Sequence, residues 1–113
     1  MDVQKVIIVE GKSDKIRLKR IISEQLIIIC THGTISAYNL EALLDPYEGC
    51  DLFIFSDADE DGEKLRKLVK NVYPSANHLF TEEVYKEVET TPYGVLAEIL
   101  DSAYIKVHPQ FLA

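Results

Sequence analysis

Three aspartates alternate in Asp57-Ala58-Asp59-Glu60-Asp61-Gly62, directly behind the apolar run Leu52-Phe53-Ile54-Phe55-Ser56. The pattern predicts a buried strand that delivers carboxylates to its C-terminal end, followed by a turn and a helix. Carboxylates crowded in this way repel one another unless a positive charge sits between them. The cation that suits an all-oxygen donor set is a hard divalent ion, Mg²⁺ first, with Mn²⁺ as a substitute. A fourth acid, Glu10, closes another apolar run, Lys5-Val6-Ile7-Ile8-Val9, and is followed by Gly11.

Other sites share parts of this pattern. The spacing Asp57, Asp59, Asp61, Gly62 opens like an EF-hand loop, but that loop needs a bidentate Glu at its twelfth position, which here is Leu68. Gly11-Lys12-Ser13 is not a Walker-type phosphate loop, because the required glycine five residues earlier is Val6. A phosphoacceptor receiver carries an acidic pair after its first strand, where this chain has only Glu10-Gly11. A haloacid-dehalogenase phosphatase carries Asp-x-Asp after the first strand, not the third. An acidic turn that merely caps a helix is the plainest reading of the aspartates alone.

The elements that must position these acids follow from periodicity. Strands are predicted at 5–9, 26–30 and 51–56, each a continuous apolar run of the kind buried on both faces of a parallel sheet, with a weaker one at 76–80. Helices are predicted from about Ser13, as N-cap, to Glu24, over Asn39–Leu44, after Gly62 with Leu65, Leu68, Val69 and Val72 on one face, and over Tyr93–Ala103 with Thr91 as N-cap. Tyr104–Val107 reads as a short edge strand. Alternating strands and helices predict βαβ units, an α/β fold of about four parallel strands with helices on both faces. Right-handed crossovers put the C-terminal ends of all strands on one edge. Glu10, the loop Thr31-His32-Gly33-Thr34 and the aspartates would therefore meet there.

The 113 residues predict a single domain, and 47% hydrophobic content is enough for a core. No apolar run approaches the roughly 18 residues of a membrane span. The opening Met1-Asp2-Val3-Gln4-Lys5 lacks a leader's layout, and Cys30 and Cys50 form no Cys-x-x-Cys pair. Reduced thiols and a cytoplasmic location are expected. The net charge of −7 argues against indiscriminate nucleic-acid binding. Positive charge is nonetheless concentrated: nine of the 12 Lys and Arg fall in residues 12–20 and 64–70.

Val9-Glu10-Gly11 with Asp14, and Asp57-Ala58-Asp59 with Gly62, resemble the two motifs of the Toprim family, the module shared by topoisomerases, bacterial primases and small ribosomal-RNA-maturing ribonucleases. The likeness covers about residues 4–80, leaving about 81–113 as a C-terminal helical extension. The third Asp is similar to the topoisomerase II form, whereas the chain length and the segments Val9–Asp14 and Gly62–Arg66 are closer to the small ribonucleases. Val88-Glu89 echoes that group as well. The resemblance implies a stand-alone Toprim (Rossmann-like) domain and a Mg²⁺-dependent nuclease or phosphotransferase acting on RNA or DNA phosphodiesters. It implies Glu10 as general acid/base or metal-positioning group, Asp57 and Asp59 as catalytic metal ligands, and Asp61 as a further or water-mediated ligand.

Lys12 and Arg66 are candidates for the nucleic-acid backbone, though either type is common as a solvated surface charge. Thr31 and Gly33 are candidates for main-chain contact with a phosphate. His32 could transfer protons but reads more simply as a loop residue. The alternative is a non-catalytic Toprim module holding metal, nucleic acid or a protein partner that supplies substrate binding. No membrane partner is expected.

Overall fold

The computed structural model describes residues 4–81 and 85–112. Four parallel strands form one sheet: β1 (Lys5–Val9), β2 (Ile27–Cys30), β3 (Asp51–Phe55) and β4 (Asn77–Leu79), in the order β2-β1-β3-β4. The helices are α1 (Lys12–Ile21), α2 (Ala37–Leu44), α3 (Glu60–Val72) and α4 (Tyr93–Ser102). The α/β fold with a parallel sheet is therefore as the sequence predicts.

Strand pleating divides the apolar run of β1 between two cores. Ile7 and Val9 join Phe53 and Phe55 beneath Leu18 and Ile21 of α1 and Leu96, Ala97 and Leu100 of α4. Val6 and Ile8 join Ile54 beneath Leu40 and Leu44 of α2 and Leu65 and Val69 of α3. A central parallel strand covered by helices on both faces has no polar side, which is why its sequence shows no alternation.

The strand order reverses at β1. The chain leaves β1 for β2 on one side, then returns to β3 on the other. In open α/β sheets the crevice outside such a reversal is where ligands bind, and here it lies between the ends of β1 and β3.

Several boundaries differ from the sequence reading. Helix α1 begins at Lys12 with Gly11 as N-cap, two residues ahead of the expected Ser13, because the Asp14 carboxylate accepts the Gly11 N–H at 3.1 Å. It ends at Ile21, not Glu24. Helix α3 begins at Glu60, before Gly62, because Asp59 caps it. Pro92, not Thr91, is the N-cap of α4; the Thr91 hydroxyl is buried and donates to the Glu87 carbonyl at 2.6 Å. Ile105 and Val107 are buried, but residues 104–107 add no strand to the sheet: Val107 makes one antiparallel bridge with Ile22. Far from the carboxylate edge, Glu24 holds this segment by accepting the Lys5 ammonium at 2.9 Å and the Lys106 N–H at 2.7 Å.

Candidate functional site at the carboxylate edge

Glu10 leaves the end of β1 and Asp57 follows the end of β3, on either side of the strand-order reversal. The gap between them is closed by one hydrogen bond: the Asp57 N–H donates to Glu10 Oε1 at 2.8 Å. Asp57 Oδ1 accepts the Val88 N–H at 2.8 Å, and the Ala58 N–H donates to the Lys86 carbonyl at 2.7 Å. Residues 86–88 are thereby pinned against the acidic loop. Asp59 is exposed, and its Oδ1 accepts the Gly62 N–H at 2.7 Å as the cap of α3. Asp61 lies exposed in the first turn of α3 and lines a cleft of about 150 Å³ with Gly33, Thr34 and Lys64. Strand ends distant in sequence thus meet at one edge.

The sharp turn from β3 into α3 requires Gly62. A Cβ built on it would lie 1.9 Å from the Asp57 carbonyl oxygen, which no side chain can occupy. The Ser56 hydroxyl donates to the Gly62 carbonyl at 3.1 Å and closes the same turn.

Burial raises the Glu10 carboxyl above the usual range; the Asp57 N–H opposes this, and the Asp57, Asp59 and Asp14 charges add to it. Asp57 is likewise raised, first by burial and then, against the Val88 N–H, by Asp59, Glu87 and Glu89. Asp14 is only 5% exposed. Its carboxyl is pushed up to about 6 by burial and by Asp57, with the Gly11 N–H and Arg17 pulling the other way. Each of these acids is ionised at a cost in free energy that a cation would relieve.

Among the described residues, no three His, Cys, Asp or Glu side chains converge as a ready-made metal cage. Each of Glu10, Asp57 and Asp59 instead accepts a main-chain N–H. This donor set still fits a hard cation. Glu10 and Asp57 are partly desolvated and repel each other and the exposed Asp59, and Mg²⁺ takes only one or two protein carboxylates while keeping its remaining places for water and phosphate.

The other candidates divide. Lys12 is exposed at the start of α1. The Thr31 N–H is already committed to the Val9 carbonyl at 3.0 Å, and the His32 N–H to the Glu10 carbonyl at 2.8 Å. Gly33 is exposed with φ at 97°, a left-handed conformation that favours glycine. Arg66 is 5% exposed. Its Nη2 donates to the carbonyls of Ser56 and Leu79, and its guanidinium lies 4.0 Å from the centre of the Phe80 ring. It bolts the end of β3 to the end of β4 beneath the acidic loop.

Asp14, which the first motif includes, and residues 86–88 also belong to this edge, although neither is among the expected site residues. The signal for Asp14 is its place three residues after Gly11, where a carboxylate reaches back to the N–H of the N-cap residue. For residues 86–88 the only signal was Val88-Glu89.

The Toprim domain family model matches residues 5–89. The chain is 46% identical to the uncharacterized protein YusF of Bacillus subtilis over 98% of its own length and 76% of that protein. It is 33% identical to ribonuclease M5 1 of Ligilactobacillus salivarius and 31% identical to ribonuclease M5 of Bacillus anthracis, over 71% of this chain in both cases. The chain spans less than half the length of either ribonuclease, 43% in each. A solved structure of a small TOPRIM domain protein from Bacillus stearothermophilus superposes with a TM-score of 0.94 at 43% identity, over 100% of this chain and 96% of that one. A protein partner finds no support among these relatives. No helix among the described residues is long and apolar enough to cross a membrane. On its motifs, its fold and these matches, the chain belongs to the Toprim domain family.

Proposed function

We propose that the carboxylate edge cleaves or transfers nucleic-acid phosphodiesters with a divalent metal, Mg²⁺ by preference. The observation that carries this reading is the Glu10–Asp57 pairing across the strand-order reversal; the ribonucleases among the relatives support nucleic acid as the substrate class. Asp57 and Asp59 would hold the ion, with Asp61 reaching it through water. When bound, the metal supplies charge that stabilises the phosphate in the transition state.

The chain's own groups do the rest. Glu10 is fixed by the Asp57 N–H through one oxygen, which leaves the other to move a proton to or from the reacting oxygens. Burial and the neighbouring carboxylates raise its affinity for a proton, the direction that suits a general acid/base. Lys12 and the Gly33 main chain would meet the nucleic-acid backbone. Arg66 positions the edge from beneath.

A second reading has its own support. Because all three carboxylates are held by main-chain N–H groups, the edge is also suited to a module that binds metal or nucleic acid without turnover. The two are separated by incubating pure protein with structured RNA, single-stranded DNA and supercoiled plasmid in Mg²⁺, Mn²⁺ or EDTA. Metal-dependent cutting that Asp57→Asn abolishes establishes the enzyme. Metal binding by calorimetry with no cutting establishes the binding module.

A further inference from the structure

Phe80 follows the last residue of β4, on the same edge of the sheet as the acids, and is 57% exposed. An exposed phenyl ring held in one orientation is unusual, and here the holding is elaborate. The Arg66 guanidinium lies 4.0 Å from the ring's centre, and the His78 ring stacks at 6.3 Å and 22°. Arg66 is itself fixed by the Ser56 and Leu79 carbonyls, so the ring is tied to the residue immediately before Asp57.

The surroundings are basic. Arg66, Lys67, Lys70, His78 and Phe80 line one cleft of about 320 Å³, together with Glu63, which stands 4.0 Å from Arg66 Nε. Burial, Arg66 and Lys70 push the His78 imidazole down, against Glu63. Phe80 also lines a second cleft of about 440 Å³, of mixed character, with Val95, Ile99 and Ala103 and with Glu98 and Ser102. In a chain of net charge −7, an exposed aromatic ring beside a cleft lined by an arginine and two lysines is a specific combination.

We propose that Phe80, Lys67 and Lys70 form a subsite for single-stranded nucleic acid, in which an unpaired base stacks on Phe80 and a neighbouring phosphate meets the two lysines. Stacking on an aromatic ring needs a base freed from its partner, and lysines set beside the ring track the backbone. The subsite rests on the reading that this edge acts on nucleic acid and adds to it the form of the substrate: the strand is unpaired beside the reacting phosphodiester. Parallel neighbouring strands lie about 4.8 Å apart. A base on Phe80, after β4, therefore belongs to a nucleotide close to the phosphate at Asp57, after β3.

The test is binding without turnover, with the full chain in EDTA. Anisotropy of labelled single-stranded oligoribonucleotides and oligodeoxyribonucleotides is compared with that of a blunt duplex and of heparin, a polyanion without bases. The variants are Phe80→Ala, Phe80→Leu, Phe80→Trp and Lys67→Ala/Lys70→Ala. Phe80→Leu keeps apolar bulk and guards against a folding defect. The expected result is a loss of roughly ten-fold or more in single-strand affinity for Phe80→Ala and Phe80→Leu, with Phe80→Trp equal to or tighter than wild type and heparin binding unmoved. The double lysine variant weakens every polyanion and flattens the salt dependence.

Single-strand affinity that is indifferent to Phe80→Leu, or no stronger than duplex and heparin affinity, overturns the subsite. Cleavage by the wild type in Mg²⁺ is scored separately. Cutting lost in Asp57→Asn, with binding indifferent to Phe80, removes the subsite and leaves the proposed function standing. Phe80-dependent binding without cutting does the reverse.

Discussion

The Asp57 N–H donates to Glu10 Oε1 at 2.8 Å, so the acid after β1 is held by the main chain of the first acid after β3. The two residues stand 47 apart in sequence, and only the strand order brings them together. The bond occupies one oxygen of Glu10 and favours its charged form, but an uncharged oxygen can accept it too, which lets the residue's structural part be separated from its chemical one.

Glu10→Gln therefore keeps the hydrogen bond through the amide oxygen while removing the charge. Thermal stability in EDTA is expected to be equal to or above wild type, since a like charge is lost from beside Asp57, Asp59 and Asp14. Cleavage is expected to fall by about 10²-fold or more, the scale of a lost general acid/base. Melting curves and single-turnover rates on the same preparations check both halves.

Asp14 gives the fold a pH dependence. Its folded pKa of about 6 lies above its ordinary value of 3.8, so the native state binds the proton more tightly than the unfolded chain. The stability it contributes is complete below about pH 4 and is lost as pH rises through about 6. The size is on the order of 2–3 kcal/mol for a group so well buried. Glu10 and Asp57, also raised, add in the same direction. Urea unfolding in EDTA is expected to show lower stability at pH 8 than at pH 5, and Asp14→Asn to remove a large part of that difference.

Gly62→Ala is expected to destabilise the protein by about 3 kcal/mol or more, the scale of forced overpacking against backbone. The added methyl group meets the Asp57 carbonyl oxygen, which cannot move without moving Asp57 itself. Activity should fall with stability, unlike in Glu10→Gln. Calorimetric unfolding and the cleavage rate together distinguish the two.

Arg66→Leu leaves the Ser56 and Leu79 carbonyls without their donor. A loss of about 2–4 kcal/mol is expected, the sum of two buried acceptors left unpaired. Arg66→Lys is expected to recover only part of it, because an ammonium cannot reproduce the planar fork that reaches two carbonyls and covers the Phe80 ring. Denaturant midpoints of the three proteins check the order.

The strands and their burial were legible because Val6–Val9 and Phe53–Phe55 carry no polar residue to expose. The shared edge was legible because chirality leaves one arrangement for successive βαβ units. The start of α3 was not, since Gly62 reads as a turn residue until the Asp59 cap shows it inside the first helical turn. Arg66 reads from its type as a surface cation. The contrary signal was its register, four residues after Gly62 and three before Val69, both buried on the same helix. The main-chain bonds that tie Asp57 to Glu10 and Val88 leave no trace in residue types at all.

The measurement that tests the central claim most directly is the rate of Mg²⁺-dependent cleavage of RNA carrying an unpaired segment, with wild type, Asp57→Asn and Glu10→Gln run side by side, and EDTA as control. The wild type is expected to cut in Mg²⁺ and not in EDTA, and both variants to cut about 10²-fold or more slowly with their folds intact by circular dichroism. Equal cutting by all three proteins, or cutting that survives EDTA, would contradict the claim.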